Sequence, residues 1–248
     1  MNSMLNRRTI RNYSDKSVDD LLFNELLEIA SRSSNTGNIQ AYSIIVTRDS
    51  ERKKNLAPLH FNQSQVINAP LILTFCADFN RFTKWANQRG ATPGFDNLQS
   101  FTYASIDAII MAQTFCVAAE DRGLGICYLG TTTYNAGKIA NVLELPKLVM
   151  PLTTICLGYS MEKPTDPLPD RLPLFGIIHN ETYQDYTEAD IDRIYKHKES
   201  LPENLKFVEI NKKKSLAQVF TDLRYTKKDN EFFSNELVEA LKNQGFLK

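Results

Sequence analysis

Residues 102–130, TYASIDAIIMAQTFCVAAEDRGLGICYLG, decide how the chain is read. From Ala104 to Ala119 the stretch is apolar on nearly every side, interrupted only by Ser105, Asp107, Gln113 and Thr114. A helix that is apolar all round belongs inside a large fold or in a subunit interface. Asp107 and the shortness of the apolar run argue against a membrane span. Gly123 should end the helix, because glycine is favoured just past a helix end. Ile126 to Gly130 then reads as a short β-prone segment closed by glycine, followed by Thr131, Thr132 and Thr133. The helix thus delivers an aromatic, a glycine and three threonines to one point, the expected floor of a ligand site.

Upstream, Ser17-Val18-Asp19-Asp20 is a capping signal for a helix over about 18–32, with Leu22, Leu26, Ile29 and Ala30 at helical spacing. It leads into a polar loop, Ser33 to Asn38, whose hydroxyls and amides can bond a ligand. Strands are expected over 42–47, 71–77 and 152–159, and a short charged helix over 48–56. Residues 79–98 hold Trp85, Gly90, Pro93 and Gly94 and read as an irregular excursion. Its aromatics (Phe82, Trp85, Phe95, with Phe101 just beyond) suit either a substrate lid or plain packing. Downstream, a short helix is expected over 135–143. Pro164, Pro167, Pro169 and Pro173 stiffen a loop carrying Asp170-Arg171-Leu172, and the lysine-rich remainder reads as helices over 190–198 and 228–244. Strands separated by helices imply a layered α/β or α+β fold.

The chain has 248 residues, 42% apolar and 23% charged, ordinary for a soluble protein with a large core. Lys plus Arg equals Asp plus Glu at 29 each, so no global field recruits nucleic acid or a membrane surface. The N-terminus lacks the apolar run of a secretion signal. The four cysteines, Cys76, Cys116, Cys127 and Cys156, sit in apolar segments without a CxxC pair and read as buried thiols of a cytoplasmic protein. Gly123, Gly125 and Tyr128 break the dinucleotide fingerprint, there is no GxxxxGK[ST] loop or GxSxG elbow, and His60, His179 and His197 are isolated. No metal site is expected. Chemistry without a side-chain nucleophile, metal or acid–base dyad is left to an organic cofactor.

Arg7-Arg8-Thr9-Ile10-Arg11 admits two readings, a solvated basic face or a phosphate clamp of guanidinium forks with a hydroxyl. Arg171 is equally ambiguous alone. Together with what lies between them they are more specific. Arg7 to Tyr13, the loop 33–38 followed by Gln40, the run Cys76-Ala77-Asp78-Phe79-Asn80-Arg81, Gly123-Leu124-Gly125 with Tyr128-Leu129-Gly130, and Gly158 with Asp170-Arg171-Leu172-Pro173 occur in that order. The chain resembles the nitroreductase family, specifically its NfsA/Frp-type flavin reductase branch, over roughly residues 7–183.

The resemblance implies an α+β nitroreductase fold, a central mostly antiparallel sheet flanked by helices, built as an intertwined homodimer. It implies one FMN-binding domain over 1–248, with a core over about 5–183 and a helical C-terminal extension over about 187–248. FMN would sit at the dimer interface and work by ping-pong with NAD(P)H as co-substrate. Two-electron reduction of nitro compounds, quinones or free flavins follows. By position, Arg7, Arg8 and Thr9 resemble the phosphate-end residues and Arg171 a second phosphate arginine. Arg11 would lie near the N1/O2 edge and stabilise the reduced flavin, the one catalytic role given to a side chain. Ser34, Asn35 and Thr36 match a polar loop brought to the flavin across the interface. Gln63 matches a glutamine on the pyrimidine edge. Tyr128, Leu129, Gly130 and Thr131 match the segment beneath the ring, whose N–H groups approach N5.

Three positions depart from the branch: Arg7 where histidine is frequent, Pro169 where a lysine precedes Arg171 by two residues, and Thr131 where a second glycine is usual. Arg7 could replace the charge lost at Pro169. The rival readings are an FMN-binding module without turnover, an anion-binding protein of another class, and another FMN-dependent reaction, such as dehalogenation, on the same scaffold.

Overall fold

The computed structural model describes residues 2–161 and 168–248, so Pro164 and Pro167 of the expected stiffened loop lie outside the described residues. The chain packs as two units, Met1–Asp166 with Phe233–Lys248, and Pro167–Phe232. The first holds α1 (Asn2–Leu5), α2 (Asp20–Ser31), β1 (Tyr42–Thr47), α3 (Ser50–Leu56), α4 (Ser64–Asn68), β2 (Leu71–Asp78), α5 (Asn80–Gln88), α6 (Leu98–Asp121), β3 (Gly125–Leu129), α7 (Ala136–Val142) and β4 (Val149–Gly158). The second holds α8 (Glu188–Ser200), α9 (Pro202–Ile210) and α10 (Leu216–Val219), and α11 (Lys227–Gln244) starts there.

The strands form one antiparallel sheet in the order β1-β2-β4-β3. β2 is buried at every residue because helices cover both faces of the sheet. The period of two sorts its side chains. Leu71, Leu73 and Phe75 join a core with Leu26 of α2 and Ala108, Met111 and Phe115 of α6. Ile72 joins another with Leu56, Val66 and Ile139 from α3, α4 and α7. The central, mostly antiparallel sheet flanked by helices is therefore as expected. The strand over 42–47 falls where the β-branched run placed it.

α6 runs longer than the apolar run alone. Asn97 caps it, its Oδ1 accepting the Ser100 N–H at 3.0 Å, and Gly123 closes it at φ 76°. The helix is long and apolar enough by length and composition to cross a membrane, yet its Ala104, Ala108, Ala112, Phe115 and Ala119 are buried on the sheet. It is not buried all round. Tyr103, Ile106, Ile109 and Ile110 stand 43, 49, 52 and 37% exposed along its outer face, so these isoleucines are not packing residues within one chain.

Three expectations are corrected. The cap of α2 is Asp19, whose Oδ1 accepts the N–H groups of Leu21 and Leu22, not Ser17. The excursion over 79–98 contains a helix, α5, concealed by the nearby glycines and proline. Phe79 and Phe95 stack at 4.6 Å with Phe82 edge-on at 5.1 Å, which makes these aromatics packing, while Trp85 stays 54% exposed. Between the two expected C-terminal helices, α9 and α10 also form. α9 starts at Pro202, which the first turn tolerates, and none of its residues is buried, so it left no apolar period to read.

The N-terminal segment is joined to the sheet at the first residues of β3. The Ile10 N–H donates to Ile126 O at 3.0 Å, and Ile10 lies so close that a Cβ on Gly125 would be 2.7 Å from its Cβ. Gly125→Ala should therefore cost roughly 1–3 kcal/mol by overpacking. Urea denaturation reads this directly, and an unchanged midpoint would mean that the arginine-bearing segment is not docked there.

Candidate functional site

The arginine segment is anchored by two buried side chains three residues apart. Ile10 and Tyr13 are buried, Arg7, Arg8 and Thr9 half-buried, and Arg11 exposed. The Tyr13 hydroxyl lies 2.7 Å from Ile10 O and 3.1 Å from Cys156 O, which pins the segment to the sheet. Arg7 Nε is 3.5 Å from Glu120 Oε1 near the end of α6, with only 10% of the Glu120 side chain exposed. Burial raises the Glu120 carboxyl above its ordinary range and Arg7 draws it back. The two line an open hollow of about 170 Å³ with Arg8 and Gly125.

The polar loop is held near the middle of the same helix. Asp107, 1% exposed, accepts the Thr36 N–H at 2.9 Å, the Thr36 hydroxyl at 3.0 Å and the Ala41 N–H at 3.3 Å. A buried carboxylate needs such donors, so the one acid in the apolar run clamps the loop. Ser33 Oγ reaches Thr114 Oγ1 at 2.8 Å, and Asn35 Oδ1 accepts the Gln40 N–H at 3.2 Å, leaving Ser34 exposed beside them. Asp107 and Glu120 are thirteen residues apart, about 20 Å along a helix axis. The loop and Arg7 are thus kept apart within one chain.

A third group gathers past the end of β3. Leu129 is buried with its side chain in the core, and the Tyr128 ring packs toward α6, its hydroxyl 3.4 Å from Gln113 Oε1. Burial raises the Tyr128 hydroxyl far above its usual range, so it stays protonated. Gly130 is exposed, and a Cβ there would meet nothing within 4 Å, leaving its backbone open to approach. Thr132 turns inward, 2.9 Å from Leu129 O and 3.0 Å from Thr154 Oγ1. Thr131 Oγ1 lies 2.8 Å from Nδ1 of His60. Gln63 Oε1 accepts from the buried Gln65 Nε2 at 2.7 Å, which leaves the Gln63 NH2 as that amide's donor end. Arg171 belongs to the second unit, is exposed, and its Nη1 donates to Asp170 O at 2.8 Å.

His60 and Glu120 had no signal in the sequence, because each acts through a residue distant along the chain, and Gln65 had none because no period marks its contact with Gln63. Asp107 had one, as the only charge in an apolar run. All four cysteines are free and buried, and burial pushes the Cys116 thiol up to about 12, so it offers no thiolate. No group of three metal-ligating side chains occurs among the described residues. The chemistry of this donor set is binding: cations, hydroxyls, an amide and open backbone.

His60 is fully buried, and burial lowers its pKa from 6.5 to about 4. Its ring is neutral in the fold while the unfolded chain takes up a proton near 6.5. Stability is therefore present above that pH and lost as pH falls toward 4, by about 3 kcal/mol at the lower limit. His60→Asn should flatten this part of the stability-against-pH curve between 6.5 and 4, as followed by denaturant titration at each pH.

The sequence model of the nitroreductase family matches residues 4–159. The chain is 34% identical over 192 residues, 75% of each chain, to the FMN reductase (NADPH) of Bacillus subtilis strain 168. It is 32% identical over 186 residues, again 75% of each, to the oxygen-insensitive NADPH nitroreductase of Salmonella typhimurium strain LT2. A crystal structure from Bacteroides fragilis NCTC 9343 is similar over 100% of both chains, at 55% identity and a TM-score of 0.96. An antiparallel sheet with a long core helix, open glycine backbone at the end of its edge strand, and a family match over more than half the length lead to one conclusion: the chain belongs to the nitroreductase family.

Proposed function

We infer that this protein is an FMN-dependent NAD(P)H oxidoreductase of nitroreductase type, a homodimer that reduces small electron-poor compounds such as nitroarenes, quinones or free flavins. The observation that carries the reading is the donor set just described. Open backbone at Gly130 gives a flat ring a place to lie, and Gln63 presents an NH2 that suits a carbonyl of a pyrimidine edge. FMN, when bound, supplies the two-electron chemistry between a reduced nicotinamide and the acceptor.

The chain's own residues then bind, orient and stabilise. Arg7, Arg8 and Thr9 hold the phosphate end. Arg11 places a fixed positive charge where negative charge develops on reduction. Ser34, Asn35 and Thr36 close the site from the loop clamped by Asp107. Tyr128 and Leu129 work through their backbone, since their side chains are turned inward.

Two features support the homodimer. The loop and Arg7 are anchored about 20 Å apart along α6, too far to serve one ligand from the same chain unless it is long. The outer face of α6 also leaves Tyr103, Ile106, Ile109 and Ile110 exposed at helical spacing, a surface a second copy would cover. The partner's loop would then come to this chain's arginines.

Purified protein should be yellow, and anaerobic NADPH or NADH should bleach it. Steady nicotinamide oxidation with a quinone or nitroarene distinguishes turnover from mere binding. Arg11→Ala should slow flavin reduction by roughly tenfold or more. Full FMN occupancy with an unchanged reduction rate would remove Arg11 from this role. Arg7→Ala should weaken FMN retention, measured by flavin fluorescence on dilution.

A further inference from the structure

Past the end of β3, Thr131 carries a hydroxyl that the binding of FMN by backbone leaves unused. Its hydroxyl's one hydrogen-bond partner among the described residues is His60 Nδ1, at 2.8 Å. His60 stands in the turn Ala57–His60, and Phe61 and Asn62 follow it in left-handed backbone at φ 55° and 54°. Two further bonds fix this turn. Asn135 Nδ2 donates to Leu59 O at 2.8 Å, and the Asn62 N–H donates to Ala57 O at 2.8 Å. The imidazole is fully buried, and its Nε2 has no partner among the described residues.

A neutral imidazole carries one N–H, and the orphaned nitrogen decides which. A proton on Nε2 would leave a buried donor unsatisfied, whereas a proton on Nδ1 leaves only a lone pair without a partner. Orphaned buried N–H groups are the rarer and costlier case. The Nδ1–H therefore donates to Thr131 Oγ1. The threonine oxygen is then occupied as an acceptor, and its own hydrogen is left for another acceptor, with the exposed Gly130 next to it in the chain.

We propose that His60 is a positioning residue that fixes Thr131 as a hydrogen-bond donor to the electron-rich edge of the ring bound over the Gly130–Thr131 turn. This rests on the FMN reading above. The donor strengthens its bond as negative charge accumulates on the ring, so it favours the reduced form. It also gives the threonine at this position, where the family resemblance leads one to expect glycine, a chemical task.

A tautomer measurement and the potentials of three variants test the pair. Long-range ¹⁵N correlation of His60 in protein freed of FMN should show the proton on Nδ1, and a proton on Nε2 would overturn the proposal without reference to any bound ligand. Thr131→Val removes the hydroxyl at nearly constant volume. It should make the midpoint potential of bound FMN more negative, through a loss of roughly fivefold in the preference for the reduced form, about 20 mV for a two-electron couple. His60→Leu should reproduce that shift and add nothing in the Thr131→Val background. His60→Asn, whose amide N–H stands where Nδ1–H does, should restore it. A Thr131→Val protein that binds FMN and keeps the wild-type potential would sink the proposal and leave the FMN reading intact. Wild-type protein that binds no FMN would end both.

Discussion

The structure depends on what a buried helix does with its acids. α6 can lie flat on the sheet because small side chains face it, and that contact removes Asp107 from water near the middle and nearly removes Glu120 at the C-terminal end. A carboxylate out of water must collect donors, since the cost of leaving it unpaired exceeds any one hydrogen bond. Asp107 collects the backbone and hydroxyl of Thr36 and the N–H of Ala41, and Glu120 collects Arg7. Two surface segments that share no sequence pattern are thereby fixed to one rigid rod.

The same rod explains why much of the site is main chain. Where β3 leaves the sheet, Leu129 and Thr132 turn into the core and Tyr128 turns to α6. What remains at the surface is the exposed Gly130 backbone with the half-buried Thr131 and Gln63, which bond the buried His60 and Gln65. Such a surface offers direction and partial charge with little shape of its own. It suits a flat cofactor that carries the reaction and acceptors that share electron deficiency more than outline.

Burial also silences groups that would otherwise compete. The four thiols lie in the core, and the Cys116 thiol is raised to about 12. His60 is kept neutral by the same desolvation. Its remaining influence is geometric, exerted through a hydrogen bond rather than through charge.

Much of the fold was legible in the amino-acid sequence because periodicity is local. The alternating, β-branched run at Tyr42–Thr47, the apolar run of β2, the core helix with its terminating Gly123, and the arginine cluster at the N-terminus could all be read within a few residues of themselves. α5 was hidden because Gly90, Pro93 and Gly94 lie beside it, and α9 because it buries nothing. Tertiary structure alone decided that Ile106, Ile109 and Ile110 face outward, that Arg7 meets Glu120, that Gln65 turns Gln63, and that His60 holds Thr131. Arg7 with Glu120 and His60 with Thr131 join residues far apart along the chain, Gln63 and Gln65 are near neighbours whose contact no period announces, and the burial that brings these groups together exists only after the helices have closed over the sheet.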